Sequence, residues 1–265
     1  MIKAVTLDFG NTLVPVTGAG LGGVVGATVE AMADRLGPFD VATVRAIWAE
    51  ERERQFREEV PQFREVDMAQ RIGRILARLR GMPPPSPGER WNDAAAALLS
   101  NPAEIAWAVD IYSAAFVVAV PPDPAALRVI SELAARYRVA ILSNWPLAAT
   151  IDRYAEAAGW TPHLRAIVVS QRVGTIKPHP VIFAAALAAL GDPVPGEVLH
   201  VGDDWAADVV GAKRAGWRAA WVSGRPADSP LPDSERDSSV EADAEIASIG
   251  DLVAALEVLE TTAGR

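Results

Sequence analysis

The sequence predicts an α/β protein: a parallel sheet covered by helices, interrupted near its start by a long all-helical insert. Three observations carry this. From about residue 120 onward, short apolar runs alternate with helix-length amphipathic stretches. One further apolar run, Lys3-Ala4-Val5-Thr6-Leu7-Asp8-Phe9, stands apart near the start of the sequence. Between them lie about 105 residues with helical patterning and strong breakers, but no strand signal.

The elements follow in order. Residues 3–9 read as a short buried strand with Asp8 near its C-terminal end. A Gly-rich stretch runs from Thr17 to Gly26. Within it, Gly18-Ala19-Gly20-Leu21-Gly22-Gly23 satisfies a dinucleotide-binding spacing, but no second strand with an acidic end follows, as that motif requires. The stretch is therefore read as a flexible hinge. Helices are expected near 24–36, 40–59, 66–81, 88–99 and 103–116, broken at Gly37-Pro38, Pro61, Pro83 to Pro87, and Asn101-Pro102. Asp123 then caps a helix with Pro124 at its first position, and Leu127, Ile130, Leu133 and Tyr137 share one face. Strands at 138–142, 165–169, 197–201 and 218–222 alternate with helices near 147–158, 180–190 and 205–215. A polar loop, 224–243, precedes a last helix near 249–260. The expected architecture is a three-layer, Rossmann-like parallel-sheet core from residues 1–13 and 120–265, with a helical domain at 14–119.

Bulk properties narrow the function. The chain has 265 residues, half of them apolar, and a net charge of -9. That charge argues against a nucleic-acid partner or an anionic membrane surface, both of which need a basic face. There are no cysteines, which excludes disulfides, zinc–thiolate sites and thiol catalysis. The first residues reach an acid too soon for a signal peptide, and no apolar run reaches the ~18 residues of a bilayer span. A cytoplasmic enzyme with a small-molecule substrate is expected, as a monomer or homodimer.

In parallel sheets, chemistry collects at the C-terminal strand ends. Here those ends carry Asp8, then Ser143-Asn144, then Lys177 in Thr175-Ile176-Lys177-Pro178, then Gly202-Asp203-Asp204 with Asp208. Together they suit phosphoryl transfer. A carboxylate attacks phosphorus and splits one hard step into two. Mg²⁺ takes oxygen ligands from one or two carboxylates, phosphate and water, which Asp8 and Asp203 can supply. A lysine stabilises charge on the transferring group. The scarcity of lysine (only Lys3, Lys177 and Lys213) leaves few other groups for that role.

These motifs resemble the haloacid dehalogenase-like hydrolase superfamily. The resemblance spans Asp8-Phe9-Gly10-Asn11-Thr12-Leu13, Ile141-Leu142-Ser143-Asn144, Val173 to Pro178, and His200 to Asp208. The insert resembles the helical cap that one subgroup carries after its first strand. The resemblance implies that Asp8 is nucleophile and metal ligand and that Gly10 offers its carbonyl to Mg²⁺. It implies further that Ser143 and Asn144 bind the phosphoryl group, and that Lys177 pairs with that group and with Asp8. Asp203 would bind the metal, with Asp208 as ligand or support and Asp204 as a helper.

One position departs from the family pattern. Phosphatases of this family usually carry an Asp two residues after the nucleophile as general acid and base; this chain has Gly10. Losing such a group typically costs about 10²–10⁴ in rate. Four readings stay open. The first is a phosphatase acting on a good leaving group, such as an acyl or aryl phosphate, or one in which a water or an insert carboxylate stands in. The carboxylates available are Glu50, Glu51, Glu53, Glu58, Glu59 and Glu65. The second is a carbon–halogen hydrolase, since halide leaves without a proton, although relatives of that type work without metal. The third is carbon–phosphorus cleavage, which would need an insert lysine that is absent. The fourth is a non-catalytic binding protein.

Other features read more plainly. The insert arginines from Arg52 to Arg80 are expected mostly on solvated faces between glutamates, with one or two available to bind a substrate anion. Trp145 and Trp205 follow motif residues and are candidates for the cleft mouth. His200 is expected to be a core residue with a satisfied ring, and His179 to begin a helix.

Overall fold

A computed structural model of the chain describes residues 1–262. Its core is a single six-stranded sheet: β1 (Ala4–Leu7), β2 (Arg138–Ser143), β3 (Ala166–Val169), β4 (Val198–Gly202), β5 (Arg218–Val222) and β6 (Ala244–Ile246). The order is β3-β2-β1-β4-β5-β6, and every neighbouring pair is parallel. This is the α/β parallel-sheet class that the alternating pattern predicts. β1 and β4 are buried at every residue, which explains their near-continuous apolar composition. Ala4, Leu142, Phe183, Leu190, Val209 and Trp217 belong to one cluster between sheet and helices.

The order reverses between β1 and β4. From β1 the chain builds outward through β2 and β3; from β4 it builds the other way through β5 and β6. Such a switch point leaves a crevice beyond the strands' carboxyl ends. Asp8 follows β1 and Asp203 follows β4, so the fold sets both acids at its lip.

The chain divides into two compact units: Met1–Gly18 with the chain from Val120 onward, and Ala19–Ala119. The first boundary falls later than the residue 13/14 division expected from sequence. Residues 11–17 turn back into the sheet unit, with Asn11 N donating to Val14 O (2.7 Å) and Asp123 N to Leu13 O (3.0 Å). Leu13, Val14 and Val16 are fully buried.

The second unit is helical. Helices Val41–Glu58, Met68–Leu79 and Pro102–Ala119 pack on one another. Asp40 and Asp67 cap the first two by accepting main-chain N–H groups. The arginines are not mainly solvated, because most of them bind carboxylates within this unit. Arg74 grips Asp93 through two bonds of 2.7 and 2.9 Å, Arg78 binds Glu50 and Glu51, and Arg80 binds Glu104 at 2.9 Å. Buried Glu51 also accepts from Trp91 Nε1 at 3.0 Å.

Several local expectations change. The glycines at 18–23 are helical, forming the start of Gly18–Leu36, and so do not make a hinge loop. Between 88 and 99 only Asp93–Ala97 is helical. Strand β6 lies between the expected loop at 224–243 and the last helix, where no strand was expected, since three residues are too few to show periodicity. Helix Pro102–Ala119 is long and apolar enough to cross a bilayer, contrary to the sequence reading. It carries Glu104 and Asp110 and buries Ala108, Tyr112 and Phe116.

Candidate active site

The β1–β4 ladder extends one residue past β1, where Asp8 N donates to Val201 O at 2.8 Å. This fixes the Asp8 backbone at the sheet's carboxyl edge. The chain then turns tightly through Gly10 and Asn11. Asn11 has φ 55°, a left-handed conformation that asparagine tolerates better than most residues.

Lys177 arrives from the loop after β3, and its backbone is clamped by one side chain. Asn144 Nδ2 donates to Lys177 O at 3.1 Å, and Lys177 N donates to Asn144 Oδ1 at 2.7 Å. Asn144, predicted to bind substrate, thus spends its side-chain amide on positioning Lys177. The Lys177 ammonium is buried and donates three bonds: to Asp8 Oδ1 (2.7 Å), Asp208 Oδ1 (2.6 Å) and Leu142 O (2.9 Å). Ser143, next to Leu142 at the end of β2, is buried as well.

Asp208 uses both oxygens within the protein. Oδ1 meets Lys177 and His200 Nε2 (3.0 Å), and Oδ2 accepts from Asp204 N at 2.9 Å. His200 is a satisfied core residue, as the sequence predicts, since its Nδ1 lies 2.8 Å from Thr6 Oγ1 on the paired strand. The ring therefore ties the sheet to the charged cluster. Gly202 makes room for this arrangement, because a Cβ there would lie 2.2 Å from the Asp208 carboxylate.

Asp203 Oδ2 accepts from Asn11 Nδ2 at 3.1 Å and faces Arg225 Nη1 at 3.2 Å. Asp204 points elsewhere. It accepts from Ala207 N at 2.7 Å and from the backbone and hydroxyl of Ser234, both at 3.0 Å. Its carboxylate therefore caps a turn and pins a loop.

Residues 225–234 are strapped to the site through Arg225–Asp203, Ser229–Asn11 and Ser234–Asp204. Leu231 in this strap reaches Gly10. A Cβ at Gly10 would lie 2.5 Å from Leu231 Cδ1 and 3.6 Å from the Trp145 ring. Trp145 packs edge-on against Phe9 at 5.3 Å. Both Trp145 and Trp205 are buried, and Trp205 belongs to the core cluster, so it does not line a cleft mouth.

The charges do not balance. Burial raises the Asp8 carboxyl most; Lys177 opposes this and Asp208 adds to it, leaving it above its ordinary value. Burial, then Asp8 and Asp208, push Asp203 up to about 8. Burial would raise Asp208 too, but Lys177 and His200 hold it below the usual carboxylate range. Burial opposes the Lys177 ammonium, yet Asp208 and Asp8 keep it above an ordinary lysine. Three buried acids thus face two cations: Asp8 and Asp208 share Lys177, and Asp203 faces Arg225, which leaves the cluster one positive charge short. Asp8, Asp203 and Asp208 each offer an oxygen, all within 4.8 Å of one another. A hard divalent cation fits that donor set and that charge deficit.

Several contributors escaped the sequence reading: Asn11, Arg225, Ser229, Leu231 and Ser234. Asn11 had a signal, an asparagine in a turn directly after a strand-end acid. The others lie in a polar loop more than two hundred residues from Asp8, with no periodicity to mark them.

The family model described as haloacid dehalogenase-like hydrolase matches residues 2–216. The chain belongs to the haloacid dehalogenase-like hydrolases. Similar hydrolases include the pyrimidine 5'-nucleotidase YjjG of Escherichia coli, 28% identical over 109 residues, or 41% of this chain and 48% of that protein. Phosphoserine phosphatase of Thermus thermophilus is 45% identical over 65 residues, 24% of this chain and 26% of that protein. This hydrolase spans about half or less of the curated relatives it matches. Solved structures share the fold over nearly the whole chain. A 2-haloacid dehalogenase from Pseudomonas syringae has a TM-score of 0.67 at 23% identity, covering 97% of this chain and 99% of that one. The HAD-hydrolase YfnB from Bacillus subtilis, bound to magnesium, has a TM-score of 0.58 at 18% identity, covering 96% and 98%.

Proposed function

We propose that this hydrolase is a Mg²⁺-dependent phosphatase that cleaves a small phosphorylated metabolite through an aspartyl-phosphate on Asp8. The carrying observation is the buried carboxylate triad of Asp8, Asp203 and Asp208 around Lys177, with more acid than fixed cation. Asp8, Asp203, Asp208 and the Gly10 carbonyl would hold the ion directly or in support. Bound there, Mg²⁺ would neutralise phosphoryl oxygens and the charge on Asp8 and Asp203.

The chain's own groups account for the rest. Lys177 holds one Asp8 oxygen, which orients the carboxylate and leaves the other oxygen to approach phosphorus. An O–P bond forms to Asp8 as the P–O ester bond breaks, and the electron pair leaves on the departing oxygen. Water then attacks the aspartyl-phosphate at phosphorus, releasing phosphate and restoring Asp8. Ser143 ends β2, and its hydroxyl together with the main-chain N–H of Asn144, whose side-chain amide is committed to Lys177, would contact the phosphoryl oxygens. Lys177 stabilises the charge on them in both steps.

Gly10 offers no acid for the leaving group, which favours acyl and aryl phosphates. Five of the six insert carboxylates are poor replacements, since Glu50, Glu51, Glu58, Glu59 and Glu65 all bond to partners within the helical unit, which leaves Glu53. Gly10 is equally compatible with carbon–halogen hydrolysis, in which Asp8 would displace halide. The acid excess around Lys177 weighs against that reading, because halide displacement has no use for a cation held on three carboxylates.

The deciding experiment is a turnover screen of acyl, aryl and alkyl phosphates and 2-haloacids, with Mg²⁺ and with chelator. Phosphate release that needs both Mg²⁺ and Asp8, and is lost in Asp8→Asn, supports the phosphatase. Halide release that persists in chelator overturns it.

A further inference from the structure

Gly10 lacks a side chain, yet the space beside it is filled. Leu231 Cδ1 lies within 2.5 Å of where a Cβ would stand, and the Trp145 ring bounds the same volume at 3.6 Å. A carboxylate on residue 10 would extend from that Cβ into the place Leu231 takes. The backbone that carries Leu231 is anchored. Its carbonyl accepts from Arg225 Nη2 at 2.8 Å, and the strap on either side is held by Ser229 on Asn11 and Ser234 on Asp204. Phe9 packs edge-on against Trp145. Where a proton donor two residues after Asp8 would act, the site presents two hydrocarbon surfaces.

We infer that Leu231 is a specificity-determining residue: it walls the leaving-group side with hydrocarbon, restricting the enzyme to leaving groups that depart unprotonated. The inference rests on the phosphatase reading and sharpens it. As the P–O bond breaks, the electron pair must rest on the leaving oxygen. An acyl or aryl group delocalises that charge, whereas an alkoxide needs a proton that neither Leu231 nor Trp145 supplies. An apolar wall also suits a planar ring better than a hydroxylated sugar. Gly10 and Leu231 are thus one device, since a side chain at 10 would force the Leu231 methyl group to move aside.

The geometry provides its own test. Aspartate has the branching of leucine, so Leu231→Asp puts carboxyl oxygens where the two methyl groups stand. Leu231→Asn has the same shape without a transferable proton and serves as the structural control. The readout is the dependence of log kcat/KM on leaving-group pKa for a series of aryl and alkyl phosphates with Mg²⁺. Wild type and Leu231→Asn should show a steep decline with rising leaving-group pKa. Leu231→Asp should flatten it and raise alkyl phosphate turnover about tenfold or more. Gly10→Asp with Leu231→Ala should flatten it as well, which guards against misfolding of any one variant. A wild-type dependence as shallow as that of Leu231→Asp, or no change in either acid-bearing variant, overturns the inference and leaves the phosphatase standing. No phosphate turnover by any of the proteins overturns both.

Discussion

Lys177 donates to Asp208 at 2.6 Å, as closely as it donates to Asp8 at 2.7 Å. The lysine is therefore suspended between the proposed nucleophile and an acid that also binds His200 and the Asp204 backbone. Both Asp208 oxygens already accept bonds within the protein, so it holds Lys177 and the turn after β4 whether or not it also reaches an ion. Removing the lysine leaves buried acids unpaired.

Lys177→Met should cost about 3–5 kcal/mol of stability, the usual penalty for stripping one partner from a buried ion pair. Turnover should vanish with it. Chemical denaturation with and without Mg²⁺ checks this: the variant should recover more stability from the ion than wild type does. Equal stabilisation of the two proteins by Mg²⁺ would contradict a shared charge deficit.

Metal-free protein should lose stability as pH rises from about 4 toward 8. Asp203 is pushed from 3.8 up to about 8 in the folded state, and Asp8 is raised in the same direction. A carboxyl with a raised folded pKa binds its proton more tightly when folded, so its contribution is full below the unfolded value and fades toward the folded one. Asp208 is depressed, so its contribution disappears only at more acidic pH. Mg²⁺ competes with the proton on Asp203. The rise in Tm on adding Mg²⁺ should therefore be larger at about pH 8 than at about pH 5. A rise that shrinks across this interval refutes the assignment.

Arg225 sits 3.2 Å from the Asp203 oxygen that Asn11 also binds. It partly supplies the charge a metal ion would bring. Arg225→Gln should tighten Mg²⁺ binding about tenfold, the scale on which one neighbouring charge shifts a carboxylate equilibrium. Arg225→Lys should stay near wild type, and Asp203→Asn should lose the ion. Isothermal titration with Mg²⁺ measures all three, and weaker binding by Arg225→Gln counts against competition.

Gly202→Ala forces a methyl group to within 2.2 Å of the Asp208 carboxylate. Overpacking typically costs about 1–3 kcal/mol, and here it also displaces the anchor of Lys177. Tm and kcat should fall together while the KM of any substrate found changes little.

The strand-end acids, the lysine and the parallel core were legible because they follow local rules. Apolar runs of strand length alternate with helical periods, and the switch point places chemistry after β1 and β4. Asp8, Lys177, Asp203 and Asp208 were visible as strand-end residues of the right types. Their division of labour was not. That Asn144 clamps a backbone, that Asp204 caps a turn, and that His200 reaches Asp208 depend on which atoms the turns at the strand ends bring together. Periodicity identifies a buried face but cannot choose partners on it.

The fold class, the all-helical insert and the identity of the charged groups could be read from the residues alone, since each is written in patterns a few residues long. The use of residues 225–234 emerges only once the chain is folded. Leu231 against Gly10 joins positions more than two hundred residues apart, and the same loop, which has no repeating pattern, also brings Arg225 to Asp203. Such contacts are set by how the folded surfaces meet, and no local propensity encodes them.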